Sequence, residues 1–212
     1  MQKKSIIYCA ANLVSLASAP LTLALVLSDA RWHYIEIINQ EVEPGDEDIR
    51  SYVMPKLMRV PGTRFIRGAD LALDLAEFFR QLGKTDAVEF RFLRGNAQTV
   101  TEPLAKALAA AFIRTPATFV DVDVAQADFD SFQRHCGGVD RVRRHALTDA
   151  IGAALCDLNS PEPTKFHLAS IHHLELLLGS KNATSFRAWA RSRERERALA
   201  AEESQDQDRA AA

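Results

Sequence analysis

The chain has 212 residues, 47% apolar and 25% charged, a balance that belongs to a globular protein with a real core and excludes disorder throughout, a collagenous repeat or a Cys-stapled scaffold. Its 26 basic side chains stand against 28 acidic ones, for a net charge of −2, so any grip on a polyanion must come from charge gathered locally. Cys9, Cys136 and Cys156 are too few and too widely spaced for a disulfide framework or a zinc site; a reducing, cytoplasmic setting and no bound cofactor are the expectation.

Between Lys4 and Asp29 no residue is charged. The run is long enough to cross a bilayer, and Ala17-Ser18-Ala19 after an apolar stretch also has the form of a signal-peptide cleavage site. Asn12, Ser15, Ser18, Thr22 and Pro20 interrupt it, however, and Leu21–Leu27 resumes the apolar pattern. Two buried strands, Ser5–Ala10 and Leu21–Leu27, are the preferred reading, with no membrane partner.

Trp32–Ile37 is aromatic and β-branched and predicts a third strand, paired antiparallel with the second because the connection is short. A short helix is expected over Asp46–Leu57, with Pro55 ending or kinking it. Apolar spacing at Leu71, Leu75, Phe78, Phe79 and Leu82 predicts a helix over Ala69–Leu82. Val88, Phe90 and Phe92 alternate with Glu89 and Arg91, so Ala87–Leu93 is a strand. Thr101–Ile113 reads as an Ala/Leu helix with Pro103 near its first turn, Thr118–Val124 as a short strand, and Arg143–Leu158 and His167–Leu178 as helices. Strands followed by alternating helices and strands make an α/β layer fold. The expected division is an α/β domain over 1–160, a helical extension over 161–190 and a charged, disordered tail over 191–212.

Several segments share an order that resembles a known family. They are Ile7-Tyr8-Cys9-Ala10-Ala11-Asn12-Leu13-Val14-Ser15-Leu16, Ala19–Asp29, Trp32-His33-Tyr34-Ile35-Glu36, Ser51–Leu57, Val88-Glu89-Phe90-Arg91-Phe92 and Arg143-Arg144-His145-Ala146-Leu147-Thr148-Asp149-Ala150. Together, from about Ser5 to Ala154, they resemble the RNase H-like 3′–5′ exonucleases named for four acidic residues and a histidine. The resemblance implies a mixed sheet flanked by helices and two-metal hydrolysis of nucleic acid. The departures fall on the chemistry. The family's first Asp and Glu positions land on Ala10 and Asn12. Its second Asp lands near Leu93, beside Arg94. Its His lands on Arg144, and His145 is one residue out of place. Asp149 alone keeps its carboxylate. Alanine cannot ligate a metal and asparagine offers only a neutral carbonyl, whereas Mg²⁺ wants carboxylate oxygens. The resemblance therefore implies a pseudo-enzyme without a metal.

Local charge suggests what such a domain would bind. Residues 50–67 hold Arg50, Lys56, Arg59, Arg64 and Arg67 with no acid, and residues 134–145 hold Arg134, Arg141, Arg143 and Arg144 against Asp140. Arg forks match phosphate oxygens, so Arg59, Arg64, Arg67, Arg94, Arg143 and Arg144 are the candidate nucleic-acid contacts. The rival expectation is a protein partner held through apolar surface at Leu168–Leu178 or around Trp189. A third is a surviving nuclease with relocated ligands such as Asp70, Asp74 or Asp121. Asp121 and Asp123 as a metal pair, His167, His172 and His173 as ligands, and His135-Cys136 as a nucleophile pair are each weaker than the plain structural reading.

Overall fold

The computed structural model describes residues 4–13, 20–27, 31–38, 50, 53, 57, 62–82, 85–92, 97–111, 116–122, 124, 126–135 and 145–157, and, near the C-terminus, 188, 189, 191, 192, 195, 196, 199 and 202. Its elements in chain order are β1 (Lys4–Leu13), β2 (Pro20–Leu27), β3 (Trp32–Ile37), β4 (Arg64–Ile66), α1 (Leu71–Arg80), β5 (Ala87–Phe92), α2 (Ala97–Ala110), β6 (Ala117–Asp121), α3 (Gln126–His135) and α4 (Ala146–Cys156).

The six strands form one mixed sheet in the order β4-β3-β2-β1-β5-β6. β1, β2 and β3 are consecutive antiparallel neighbours, as their short connections require. β4 runs parallel to β3, β5 parallel to β1 and β6 parallel to β5. Five strands thus point one way and β2 alone opposes them. Helices flank the sheet, so the chain has an α/β fold.

Strand β1 is apolar without alternation because it is covered on both faces. Ile7, Cys9 and Ala11 face α1 and α2, in a core with Leu23, Leu25, Phe79, Phe90, Phe92 and Leu104. Ile6, Tyr8 and Ala10 face α4, in a second core with Ala24, Tyr34, Leu147, Ala150 and Ile151. Burying each large side chain of these layers contributes about 1.5–3 kcal/mol. The aromatic residues of the first layer interlock: Phe90 stacks on Phe119 at 5.2 Å and meets Phe79 edge-on at 5.8 Å.

Several boundaries differ from the sequence expectation. Gly68–Asp70 is a 3₁₀ turn, and α1 begins only at Leu71. Helix α2 starts at Ala97, which leaves Pro103 inside it rather than in its first turn. Helix α4 starts at Ala146, with His145 as its N-cap, not near Arg143. Two elements were not anticipated. β4 is three residues in a basic run too short to show alternation, and α3 is a mostly polar segment whose buried apolar anchors, among the side chains described, are Phe129 and Phe132. The expected helices over Asp46–Leu57 and His167–Leu178 fall largely or wholly outside the described residues. No helix among the described residues is long and apolar enough to cross a membrane.

Candidate functional site

In an open sheet of mostly parallel strands, ligands enter at the carboxyl ends where the connections diverge to opposite sides. Here β1 is that point. The chain leaves it towards β2, β3 and β4 on one side and returns on the other as β5 and β6. That rule points to the carboxyl ends of β1 and β5 as the end of the sheet where a ligand would enter. Ala10 and Asn12 stand at this end of β1, and Leu93 and Arg94 directly follow β5 in sequence.

Strand pairing sets the residues at this end of the sheet in rows on the face that α4 covers. Ala10, Ala24 and Tyr34 form one row, and Asn12, Thr22 and Glu36 the next. Ala10 is buried in the apolar layer. Asn12 donates from Nδ2 to Thr22 Oγ1 at 2.9 Å. Glu36 is buried. The Tyr34 hydroxyl is buried with no hydrogen bond of proper geometry among the described residues, as is Thr148 Oγ1 in the first turn of α4. A buried hydroxyl without a partner, such as that of Thr148, costs about 1–3 kcal/mol, whereas the Tyr34 hydroxyl has Glu36 and Thr22 beside it. Burial first, then the neighbouring charge of Glu36, push the Tyr34 hydroxyl well above the usual tyrosine range, with Thr22 pulling weakly the other way. The His145 ring lies 4.9 Å from Tyr34. Asp149 sits on the same first turn, partly exposed.

The structure thus brings Ala10, Asn12 and the helix bearing Asp149 to one face. Leu93, Arg94, Arg143, Arg144 and Arg59 lie outside the described residues, as do Asp123, Cys136, His167, His172 and His173. Asp121 is exposed at the end of β6, on the far edge of the sheet. Arg67 is exposed just before α1. Arg64 is not free: its Nε and Nη2 both reach Asp74 Oδ1 at 2.9 Å, and Nη2 lies 3.9 Å from Glu77. Trp189 is buried against Phe132 in the α4-side core, so it is a packing residue rather than an apolar docking surface. Among the described residues no three His, Cys, Asp or Glu side chains stand together as a metal-binding group.

Two charged clusters escaped the sequence reading. On the α4 side, Lys4, Glu89, Arg91 and Asp157 form a chain. Lys4 meets Glu89 at 2.5 Å, Arg91 donates to Glu89 at 2.9 Å and also pairs with Asp157, and the Tyr8 hydroxyl donates to Asp157 at 2.8 Å. On the α1 side, Asp74 accepts from Arg64 and meets His33 Nε2 at 2.6 Å. The signals were present but faint: Asp74 interrupts the apolar stripe of α1, and Glu89 and Arg91 sit on a strand whose two faces are both covered.

Burial works to raise the carboxyls of Asp74 and Glu89, yet their partners outweigh it. His33 and Arg64 hold Asp74 below the ordinary carboxylate value, and Lys4 and Arg91 do the same for Glu89. A carboxyl lowered in the folded state stabilises the fold above its unfolded pKa, about 4, and loses that contribution as pH falls further. Asp74→Asn should therefore flatten the decline of Tm below about pH 4. An unchanged acid limb in calorimetry would refute this.

No protein-family model matches the chain, and a comparison with curated proteins finds no significant relative.

Proposed function

We propose that this chain is a catalytically inactive, RNase H-like relative of the 3′–5′ exonucleases, placed in the cytoplasm, that binds nucleic acid at the crevice between the ends of β1 and β5. The observation that carries the reading is topological. Three antiparallel strands lead the sheet, two parallel strands extend it beyond β1, and a helix bearing Asp149 crosses β1 and β2 above Ala10. This is the arrangement that the order of motifs implies. Ala10 and Asn12 supply no carboxylate at the end of β1, which removes two of the acids that would repel a phosphate there and leaves Glu36 and Asp149. Arg94 and Arg144 are the cations this reading assigns to the backbone, with Arg59, Arg67 and Arg143 as neighbours. Arg64 is set aside because Asp74 occupies its fork.

Fluorescence anisotropy with single-stranded oligonucleotides in EDTA tests the proposal. Binding should appear at low salt, weaken with a log–log slope of about −0.7 per phosphate contacted, and drop at least tenfold in Arg94→Glu/Arg144→Glu. Equal affinity of the wild type and the double variant, or no binding at low salt, would sink the nucleic-acid reading. Metal-dependent shortening of the oligonucleotide that disappears in Asp149→Ala would overturn the inactive assignment.

A further inference from the structure

The sheet ends on an edge strand whose two faces differ. In β4, Arg64 reaches Asp74 of α1, and Ile66 packs into the core on that side. Strand alternation then puts Phe65 on the opposite face, the one that α4 covers further in. Its partner in the register is Glu36, which continues the row of Asn12 and Thr22. Helix α4 packs on β1 and β2, two and three strands away from β4, and Phe65 is 48% exposed.

A single exposed apolar side chain needs no explanation, but Phe65 has two neighbours that bear on its role. Ile38 follows β3, donates its backbone N–H to the Ile66 carbonyl at 2.8 Å and is 37% exposed at the same strand ends. Arg67 follows β4 with an extended backbone, φ −84° and ψ 153°. It therefore continues the alternation and shares the face of Phe65, about 6.6 Å further along at about 3.3 Å per residue. Arg64 is engaged by Asp74, whereas Arg67 is exposed and its side chain makes no hydrogen bond or ion pair with another described residue. Arg67 also closes the run over residues 50–67, which holds five basic side chains and no acid. Because β1, β3 and β4 point the same way, this patch lies at the carboxyl end of the sheet with Ala10 and Asn12. Three strand spacings of about 4.8 Å put it about 14 Å from β1.

We propose that Phe65 is a stacking platform for an unpaired base, with Arg67 holding the adjoining phosphate, so that the ligand is a single-stranded rather than a duplex nucleic acid. Stacking on Phe65 rests on the nucleic-acid reading above and adds a selectivity that arginines alone do not supply. Phosphate contacts grip single strand and duplex alike, whereas only an unpaired base offers its face to an aromatic ring. Glu36 decides which part of the nucleotide goes where. Its carboxylate, in the row of Phe65, disfavours a phosphate there, which leaves the base on the ring and the phosphate beyond it at Arg67. A protein docking on the same patch would bury Phe65 and Ile38 together; the uncommitted Arg67 and the acid-free run favour a polyanion.

The test is fluorescence anisotropy of the full chain, in EDTA at low salt, with an oligothymidylate and an abasic strand of the same length and charge. Phe65→Ala should weaken binding of the oligothymidylate by about 5- to 150-fold, the range of one base–aromatic stack, and leave the abasic strand nearly unchanged. The wild type should itself prefer the oligothymidylate, a comparison that does not depend on any variant folding. Phe65→Trp should keep that preference. Arg67→Ala should weaken both strands and reduce the log–log salt slope by about 0.7, whereas Phe65→Ala should leave the slope as it is. If the wild type binds both strands equally, or Phe65→Ala binds the oligothymidylate as the wild type does, while binding still falls with salt and in Arg94→Glu/Arg144→Glu, the stacking assignment alone is overturned and the patch is left to a protein partner. No binding of either strand at low salt would overturn it together with the nucleic-acid reading.

Discussion

Asp157→Ala should destabilise the fold by about 3–5 kcal/mol, the cost of removing one partner from a buried ion pair. Asp157 ends α4 with its side chain only 2% exposed, and it holds both the Arg91 guanidinium and the Tyr8 hydroxyl. Without it the guanidinium keeps Glu89 and the face of the Tyr8 ring, 5.8 Å from its centroid, and the hydroxyl loses the carboxylate it donates to. The damage reaches three elements, because Tyr8 is on β1, Arg91 on β5 and Asp157 at the end of α4. Urea unfolding with an unchanged m-value measures it. A paired replacement, Arg91→Met with Asp157→Leu, should recover part of the loss, since it strands no guanidinium, although Glu89 then keeps Lys4 but not Arg91 and the Tyr8 hydroxyl still lacks this acceptor. A loss below about 1 kcal/mol in Asp157→Ala would show the cluster to be solvated in the native protein.

The second large effect is expected at Gly152. In an isolated helix Gly→Ala is favourable by about 1 kcal/mol. Here a Cβ would stand 2.6 and 2.8 Å from ring carbons of Phe132 and 2.9 Å from Phe129, and Phe132 is fully buried. Overpacking of this kind costs about 1–3 kcal/mol, so Gly152→Ala should be net destabilising by roughly 1–2 kcal/mol. The strain falls on the α3–α4 contact, and Trp189, whose ring is 5.5 Å from Phe132, should report it as a red-shifted emission. Phe132→Leu makes room for the Cβ, so the double variant should cost less than the sum of the two single ones. A stabilised Gly152→Ala would mean that α3 sits further from α4 than described.

How far the sequence foretold this structure depended on how local each determinant was. Leu21–Leu27 and Trp32–Ile37 were legible as strands because unbroken or alternating apolar runs between turn residues have few other solutions. The first strand proved longer than expected, since Asn12, a polar residue inside it, is satisfied across the hairpin by Thr22, a partner that no linear pattern displays. β4 exists because Ile35 and Glu36 offer it a parallel edge, and α3 because Phe129 and Phe132 find α4; both depend on tertiary contacts more than on their own sequence. The candidate site divides in the same way. Motif order located Ala10, Asn12 and Asp149 on one face. In the sequence the fork of Arg64 reads as a phosphate contact because the two acids that engage it, Asp74 and Glu77, lie ten or more residues further on.

The single antiparallel strand has a consequence for the order of assembly. β2 pairs with β1 and β3 through short connections, with Leu13 already opposite Pro20, so the loop entropy of this meander is small. β5 must instead find β1 across a long stretch of chain: Arg91 and Tyr8 are 83 residues apart. Contacts of such separation form late and slowly. Until β5 arrives, the outer edge of β1 is an open template of apolar strand, the feature through which unfinished sheets of different molecules join. The half of the molecule that folds first is therefore the half that must be shielded, and Lys4, at the start of β1, puts a charge on that edge before its partner Glu89 reaches it.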